Sequence, residues 1–141
     1  MMDIELIYNL LDWKNSEKVQ AEGIEMAAEI PGVQLFLQPN TEKYNKNIWE
    51  NCAKIVSVRD DRELSAHLIQ LFEWLQDMNW PGAECISDRL ACFSDNVLFE
   101  EKYNMCIHAA ETDNDDIWLN NLISLKKKRI SNLTASETNI Q

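Results

Sequence analysis

The sequence is poor in the residues that interrupt helices, since only three glycines and three prolines occur among its 141 residues. An all-β or loop-rich protein needs more turn residues, so this shortage favours helices joined by short links. No run of about 18 apolar residues is present, and we expect no membrane span. The N-terminal residues lack the basic region and apolar core of a signal peptide, which predicts a cytoplasmic protein.

Sequence motifs for catalysis and metal binding are also missing. There is no glycine-rich phosphate loop, no Gly-x-Ser-x-Gly elbow and no H-E-x-x-H, so we expect no enzyme. No C-x-x-C occurs, and neither His67 nor His108 has a second histidine at helical spacing, so we expect no metal and no other cofactor. The cysteines are predicted to be reduced and buried. They are Cys52, Cys85, Cys92 and Cys106.

Negative charge is abundant and unevenly distributed. The net charge is −11, yet residues 1–125 hold nine basic and 23 acidic residues, a net charge of −14. Such a body repels nucleic acid, whereas it attracts a cationic protein in a salt-dependent way. The basic run at residues 126–129 is predicted to end a helix, where cations complement the negative end of the helix dipole.

Apolar residues recur with helical spacing along most of the chain. The predicted helices cover about residues 4–11, 16–29, 44–57, 63–75, 81–93, 95–110 and 117–130. Residues 33–37 fit either one helical turn or a brief strand. The short links predict an all-α fold of antiparallel helical hairpins, stacked as a short HEAT- or armadillo-like α-α superhelix, with an irregular bundle as the competing architecture. Residues 1–130 are predicted to form one domain and residues 131–141 a frayed tail.

Two acidic segments and an aromatic corner are the candidate sites. The link at residues 111–116 lacks the glycine and glutamate of a calcium loop, so it is predicted to be solvated and to cap a helix. Adjacent Asp60 and Asp61 lie in a polar turn and are predicted to cap a helix. In the corner from Trp74 to Ala83, the tryptophans either close a helical hairpin or stay exposed as an aromatic anchor for a partner.

Two motifs carry a resemblance to a known family. Trp49-Glu50-Asn51-Cys52-Ala53-Lys54 and Trp74-Leu75-x-Asp77-x-Asn79-Trp80-Pro81-Gly82-Ala83 are similar to those of small bacterial proteins of the domain of unknown function 5071, over about residues 3–110. The resemblance implies a HEAT- or armadillo-like helical stack. It further implies an immunity protein of a bacterial toxin system, including contact-dependent inhibition. It gives no catalytic residue.

Charge and resemblance together lead to one functional hypothesis. We expect a stoichiometric inhibitor of a cognate antibacterial toxin, in particular a cationic ribonuclease domain. The predicted contact residues are acidic groups in links, with the aromatic corner nearby. They are Asp60, Asp61, Glu63, Trp74, Asp77, Trp80, Glu111, Asp113, Asp115 and Asp116. A scaffold or adaptor domain that binds a peptide in a helical groove, and an enzyme that uses His67 or His108, stay open as alternatives.

Overall fold

The chain forms an all-α structure in a computed structural model that describes the backbone of residues 3–139 and the side chains of residues 3–134. No strand occurs among those residues, and residues 33–37 contain one 3-10 turn, at Gln34–Phe36. Further 3-10 turns lie at Ser65–His67 and Trp74–Gln76. The α-helices are α1 (Ile4–Leu11), α2 (Glu17–Ala27), α3 (Lys46–Ser57), α4 (Asp61–Leu64), α5 (Leu68–Glu73), α6 (Ala83–Ala91), α7 (Asn96–Thr112) and α8 (Asp116–Asn139).

Most helices begin where a short polar side chain satisfies a free backbone N–H group. Ser16 accepts a hydrogen bond from the N–H of Val19, and Asp95 accepts one from that of Leu98, so these two are the caps of α2 and α7. Of the two aspartates that precede α4, Asp60 is the cap. These contacts fix the helix starts close to the positions that the sequence predicts.

The structure departs from the predicted helices in three places. The helix expected over residues 63–75 is divided into α4, α5 and two 3-10 turns. Pro81 precedes the sixth helix instead of lying in its first turn, because Gly82 is the residue that caps α6 in a left-handed conformation. The last helix continues to Asn139, past the end expected near Ile130. No glycine or proline follows Ile130 to stop it. The predicted frayed tail is therefore helical as far as residue 139, and residues 140–141 lie outside the described residues.

Four helices, α2, α3, α6 and α8, pack side by side as one layer. They run in the same direction, because early residues contact early residues and late residues contact late ones. Thus Asn51 in the first half of α3 donates to Gln20 in the first half of α2, and Gly82 at the start of α6 donates to Glu50 in the first half of α3. Further along the helices, Asn132 and Leu133 of α8 lie around the same surface recess as Cys92, at the end of α6. The chain returns from α2 to α3 through residues 28–45, from α3 to α6 through α4 and α5, and from α6 to α8 through α7.

An arginine joins each helix of this layer to the next one. Arg59, just after α3, donates to the carbonyls of Ala27 and Ile30 at the end of α2. Arg89 of α6 donates to the carbonyls of Ser57 and Arg59 at the end of α3. Arg129 of α8 donates to the carbonyl of Phe93 just after α6. Each guanidinium satisfies carbonyls that a helix end leaves without partners, so successive helices are locked in register.

Candidate functional site

The aromatic corner is a packing device built around Trp49 of α3. The ring of Trp74 lies edge-on to Trp49 with centroids 6.4 Å apart, and that of Trp80 does the same at 5.6 Å. Trp74 has 0% exposed surface, and its Nε1 donates to the carbonyl of Pro81 at 3.1 Å. The structure therefore removes Trp74 from the predicted contact residues, since a partner has no surface of it to touch. Trp80 is half-buried and keeps some surface.

Gly82 explains why the two sequence motifs occur together. Its N–H donates to Oε2 of Glu50 at 2.6 Å, and its φ is +85°. A Cβ at this position would lie 2.6 Å from the Cβ of Ala53 and 2.8 Å from the carbonyl oxygen of Trp49. The start of α6 therefore touches the surface of α3, and only glycine fits the contact. The motifs that carry the family resemblance are two sides of one helix–helix interface.

The polar residues of the corner shape its turn. Oδ1 of Asp77 accepts a hydrogen bond from the N–H of Asn79 at 2.8 Å, as in an Asx-turn. Asp77 is half-buried and has no ion pair among the described side chains. The carboxylate thus has a structural partner, while its remaining oxygen is free to accept from a further group.

The acidic groups around α4 already have partners within the protein. Asp60 accepts the N–H of Glu63, and Glu63 pairs with Arg59 at 3.4 Å. Asp61 pairs with Arg89 at 2.5 Å and accepts from both the N–H and the hydroxyl of Ser94. Burial alone would raise the pKa of Asp61, but the hydrogen bonds from Ser94 and the pairing with Arg89 outweigh it and lower that pKa. Asp61 therefore holds the start of α4 against the end of α6.

Asp61→Asn tests this structural role through pH. Because the pKa of Asp61 is lower in the folded chain, ionised Asp61 stabilises the fold above the pKa of an unfolded aspartate, near 3.9. That stabilisation disappears as the pH falls through the folded pKa. We expect the variant to have a lower melting temperature than the wild type at pH 7, and this difference to disappear in strongly acidic solution. Thermal unfolding followed by circular dichroism measures both melting temperatures. A difference of equal size at both pH values would contradict the assignment.

The link between α7 and α8 leaves several carboxylates unpaired. Asp115 caps α8 by accepting the N–H of Trp118 at 3.0 Å. Glu111, Asp113 and Asp116 are exposed and have no side-chain hydrogen bond or ion pair in the part of the chain that the structure describes. These three are available to a partner, as the sequence predicts for the whole link.

The predicted contact residues do not form one surface. Because α3 and α6 run in the same direction, Asp60, Asp61 and Glu63 lie where these layer helices end. Asp77, Trp80 and the 111–116 link lie where α6 and α8 begin. The nine residues of α6 separate the two groups by about 14 Å along the helix axis. The link at residues 111–116 thus lies on the same side as the aromatic corner, whereas Asp60, Asp61 and Glu63 lie at the opposite end.

The basic run at residues 126–129 does not end a helix, because α8 continues past it to Asn139. Lys126 pairs with Glu100 of α7, and Lys128 pairs with Glu84 and Asp88 of α6. Burial would lower the pKa of Lys128, but these two carboxylates outweigh it and raise that pKa. The predicted dipole-matching role is wrong, and the run instead fastens α8 to both of its neighbours.

A row of glutamates along α2 and the turn that follows it is a feature that the sequence analysis did not predict. Glu22, Glu25 and Glu29 line one shallow recess with Met26, and none of the three has an ion pair among the described side chains. Glu22 and Glu25 share one face of α2, and Glu29 lies in the turn just after the helix. Like charges at this spacing, near the negative end of the helix, disfavour the helix itself. The sequence does show this acidic row through the spacing of its glutamates, because no lysine or arginine lies between residues 22 and 29.

A groove between α3 and α6, called here the α3–α6 groove, has a volume of about 580 Å³. Five of its eight lining residues are charged, and the other three are one serine and two cysteines. The groove is lined by Glu50, Lys54, Ser57, Glu84, Cys85, Asp88, Arg89 and Cys92. The groove is not evident from the sequence, because its formation depends on which faces of α3 and α6 meet.

The cysteines fall into two environments. Cys52 and Cys106 are buried in the core, and burial raises the pKa of both thiols, that of Cys106 to about 12. Cys92 is exposed and Cys85 is half-buried, so the prediction of four buried cysteines is wrong for these two. All four are free thiols. Within the described residues, no group of three or more His, Cys, Asp and Glu side chains is placed to hold a metal ion.

Fold and surface together define an all-α protein with a layer of parallel helices and an acidic exterior. Residues 42–139 match the model of the family described as Domain of unknown function (DUF5071), and the chain belongs to that family. The match begins and ends later than the predicted 3–110, so α1 and α2 lie outside it and α8 lies inside it. Comparison with curated proteins and with solved structures gave no significant match. None of the described helices is long and apolar enough to cross a membrane.

Proposed function

We propose that this chain is an immunity protein, a stoichiometric inhibitor that binds a cationic antibacterial toxin in the cytoplasm of the cell it protects. The toxin class we propose is a nuclease, in particular a ribonuclease, as delivered in contact-dependent growth inhibition. The chain itself performs no chemistry in this proposal. The description of the matched family states no function. The immunity role is what the family resemblance implies, and the surface of the molecule supports the cationic partner.

The supporting observation is the set of exposed carboxylates without partners. One group is Glu22 and Glu25 of α2 with Glu29 in the turn after it, and the other is Glu111, Asp113 and Asp116 at and beside the turn between α7 and α8. A fold gains nothing from unpaired like charges at neighbouring positions, since they repel each other. A cationic partner would convert that repulsion into attraction.

Nucleases offer surfaces of the required sign, because a protein that holds RNA or DNA must neutralise phosphates with lysine and arginine. Residues 1–125, with a net charge of −14, would associate rapidly with such a surface and compete with its substrate. The layer of parallel helices, joined by the repeated arginine contact, supports the finer proposal of a short HEAT- or armadillo-like stack. Stacks of this kind present extended surfaces to other proteins.

Capture of the partner from the native host tests the proposal. We expect the tagged chain to retain a basic toxin domain, and one molar equivalent of the chain to abolish that domain's nuclease activity. Mass spectrometry of the captured protein and an RNA-cleavage assay provide the two measurements. Capture of a signalling or envelope protein would favour the adaptor alternative, and full nuclease activity in the complex would contradict inhibition.

Salt dependence gives a second, quantitative prediction for the same complex. We expect the association rate to fall at least about tenfold between 50 and 300 mM salt, roughly as for electrostatically steered pairs. Replacing the glutamates at residues 22, 25 and 29 by glutamine should slow association by about three- to tenfold at low salt. The matched variant changes Glu111, Asp113 and Asp116 to their amides, with the same loss of charge. If neither triple variant slows association, these carboxylates do not steer the partner.

A further inference from the structure

The outward side of α8 carries apolar side chains that no described part of the chain covers. As the last helix of the layer, α8 packs against α6 and α7 and buries Trp118 and Leu122 on its inner side. Away from that side, Ile123 and Ile130 are 40% and 53% exposed and lie seven residues apart. Half-buried Leu119 precedes Ile123 by four residues. Single exposed isoleucines are common on protein surfaces, but apolar residues in one row along a helix indicate a contact.

Two unpaired charges of opposite sign lie in the same row. Asp116 is in the first turn of α8 and Lys127 lies three turns later. Both are exposed, and neither has an ion pair or a side-chain hydrogen bond among the described side chains. Asp116 precedes Leu119 by three residues and Lys127 follows Ile123 by four, so these residues share one helix face. We call this face the α8 outer row, and it consists of Asp116, Leu119, Ile123, Lys127 and Ile130.

The α8 outer row is complementary to itself when a second copy lies antiparallel to it. The two charges are eleven residues apart, about 16 Å along the helix axis, which is too far for an ion pair within one chain. A two-fold axis sets the same face opposite itself with its direction reversed, so Asp116 of each copy meets Lys127 of the other. Leu119 and Ile123 of both copies then pack between the two ion pairs. A parallel pair would instead bring like charges together.

We infer that the α8 outer row is a homodimer interface, in which two copies of this chain pair through antiparallel α8 helices. The contact follows about 16 Å of one helix, so its area is below the roughly 1,200 Å² of stable interfaces. We therefore expect a dissociation constant of about 10 to 100 µM, and a monomer in dilute solution. The dimer goes beyond the proposed function and does not depend on it. It uses Asp116 and leaves Glu111 and Asp113 exposed for a cationic partner.

Sedimentation velocity of the full chain tests for the dimer. The concentration series runs from about 1 to 200 µM, with a reducing agent because Cys92 is exposed. Each copy has a net charge of −11, so about 150 mM salt is used to screen repulsion between distant charges. We expect the sedimentation coefficient to rise from the value of a monomer towards that of a dimer. A chain that stays monomeric throughout, or that forms larger species, would overturn the inference.

Exchanging the two charges tests the antiparallel arrangement. Asp116→Lys and Lys127→Asp each place like charges opposite each other, and we expect each to weaken the dimer by at least about fivefold. The variant that carries both changes restores the ion pairs with reversed sign, and we expect its dissociation constant to return to within about twofold of the wild type. A role of either residue within one chain would give no such recovery. If the double variant dimerises no better than the single ones, the arrangement is wrong.

Ile123→Asp tests the apolar part of the interface. We expect it to remove the dimer up to about 200 µM, since it would bury two unpaired carboxylates near the two-fold axis. Met105→Asp is the matched control, because Met105 is 53% exposed on α7. It lies five residues from Glu100, which contacts α8, and so about 140° around the helix. We expect the control to stay within about twofold of the wild type, and equal losses would overturn the inference. Circular dichroism verifies that both variants are folded.

Discussion

Gly82→Ala is expected to destabilise the protein by about 2 to 5 kcal/mol, one of the two largest single-residue effects that we predict. The left-handed backbone at φ +85° disfavours any side chain, which accounts for about 1 to 2 kcal/mol. The new Cβ would also overlap the Cβ of Ala53 and the carbonyl oxygen of Trp49, and neither belongs to a flexible chain end. Relieving that overlap requires α6 to move away from α3, at a cost of about 1 to 3 kcal/mol.

Gly32→Ala is the matched control. Gly32 has a similar φ of +78°, but no atom lies within 4 Å of the position that its Cβ would take. We therefore expect only the backbone cost of about 1 to 2 kcal/mol there. Urea unfolding of the wild type and both variants measures the difference. Equal losses for the two variants would mean that the close contact between α6 and α3 does not matter.

Arg129→Met is expected to lower the free energy of unfolding by about 2 to 4 kcal/mol. The loss is large for a residue in a run of four basic residues, which usually lies on the surface. Only 3% of Arg129 is exposed, and its guanidinium donates to the carbonyl of Phe93 at 2.5 Å and to the side chain of Asn96. The guanidinium carbon Cζ also lies 4.1 Å from the centroid of the Phe99 ring. Burial lowers the pKa of Arg129, and the nearby carboxylates of Glu100 and Asp61 oppose that shift in part. Methionine fills similar volume but leaves the buried carbonyls without a donor.

Lys127→Met is the control for this second variant. It removes the same charge two positions earlier, from a residue that is exposed and has no ion pair among the described side chains. We expect its stability to stay within about 0.5 kcal/mol of the wild type, as for most surface substitutions. Urea unfolding again provides the measurement. If the two methionine variants unfold alike, Arg129 does not hold α6 and α8 together.

Local signals in the sequence predicted local structure well. The all-α class and the starts of α2 and α7 follow from apolar spacing and from one capping side chain each, as at Ser16 and Asp95. The division of residues 61–76 into short helical pieces was not predictable in this way. Their apolar spacing fits one continuous helix, and packing rather than propensity decides where 3-10 turns replace it.

The candidate site depended on longer-range contacts and was therefore predicted only in part. Sequence alone identified the aromatic corner but left its role open, since whether Trp74 faces solvent depends on where α3 lies. The sequence predicts Asp61 as a contact residue, because nothing nearby in the chain shows that Arg89 pairs with it. The role predicted for the basic run is wrong for the same reason, since its partners on α6 and α7 precede it by 26 to 44 residues.

The arginine contacts also set an order of events during translation. Each helix end receives its guanidinium from residues made later, 29 residues after Ile30, 32 after Ser57 and 36 after Phe93. At a translation rate of about 5 to 20 residues per second, each arginine is synthesised roughly 2 to 7 s after the helix end that it contacts. A chain that ends before residue 129 therefore lacks the donor for the carbonyl of Phe93, and the end of α6 is left without this contact to α8.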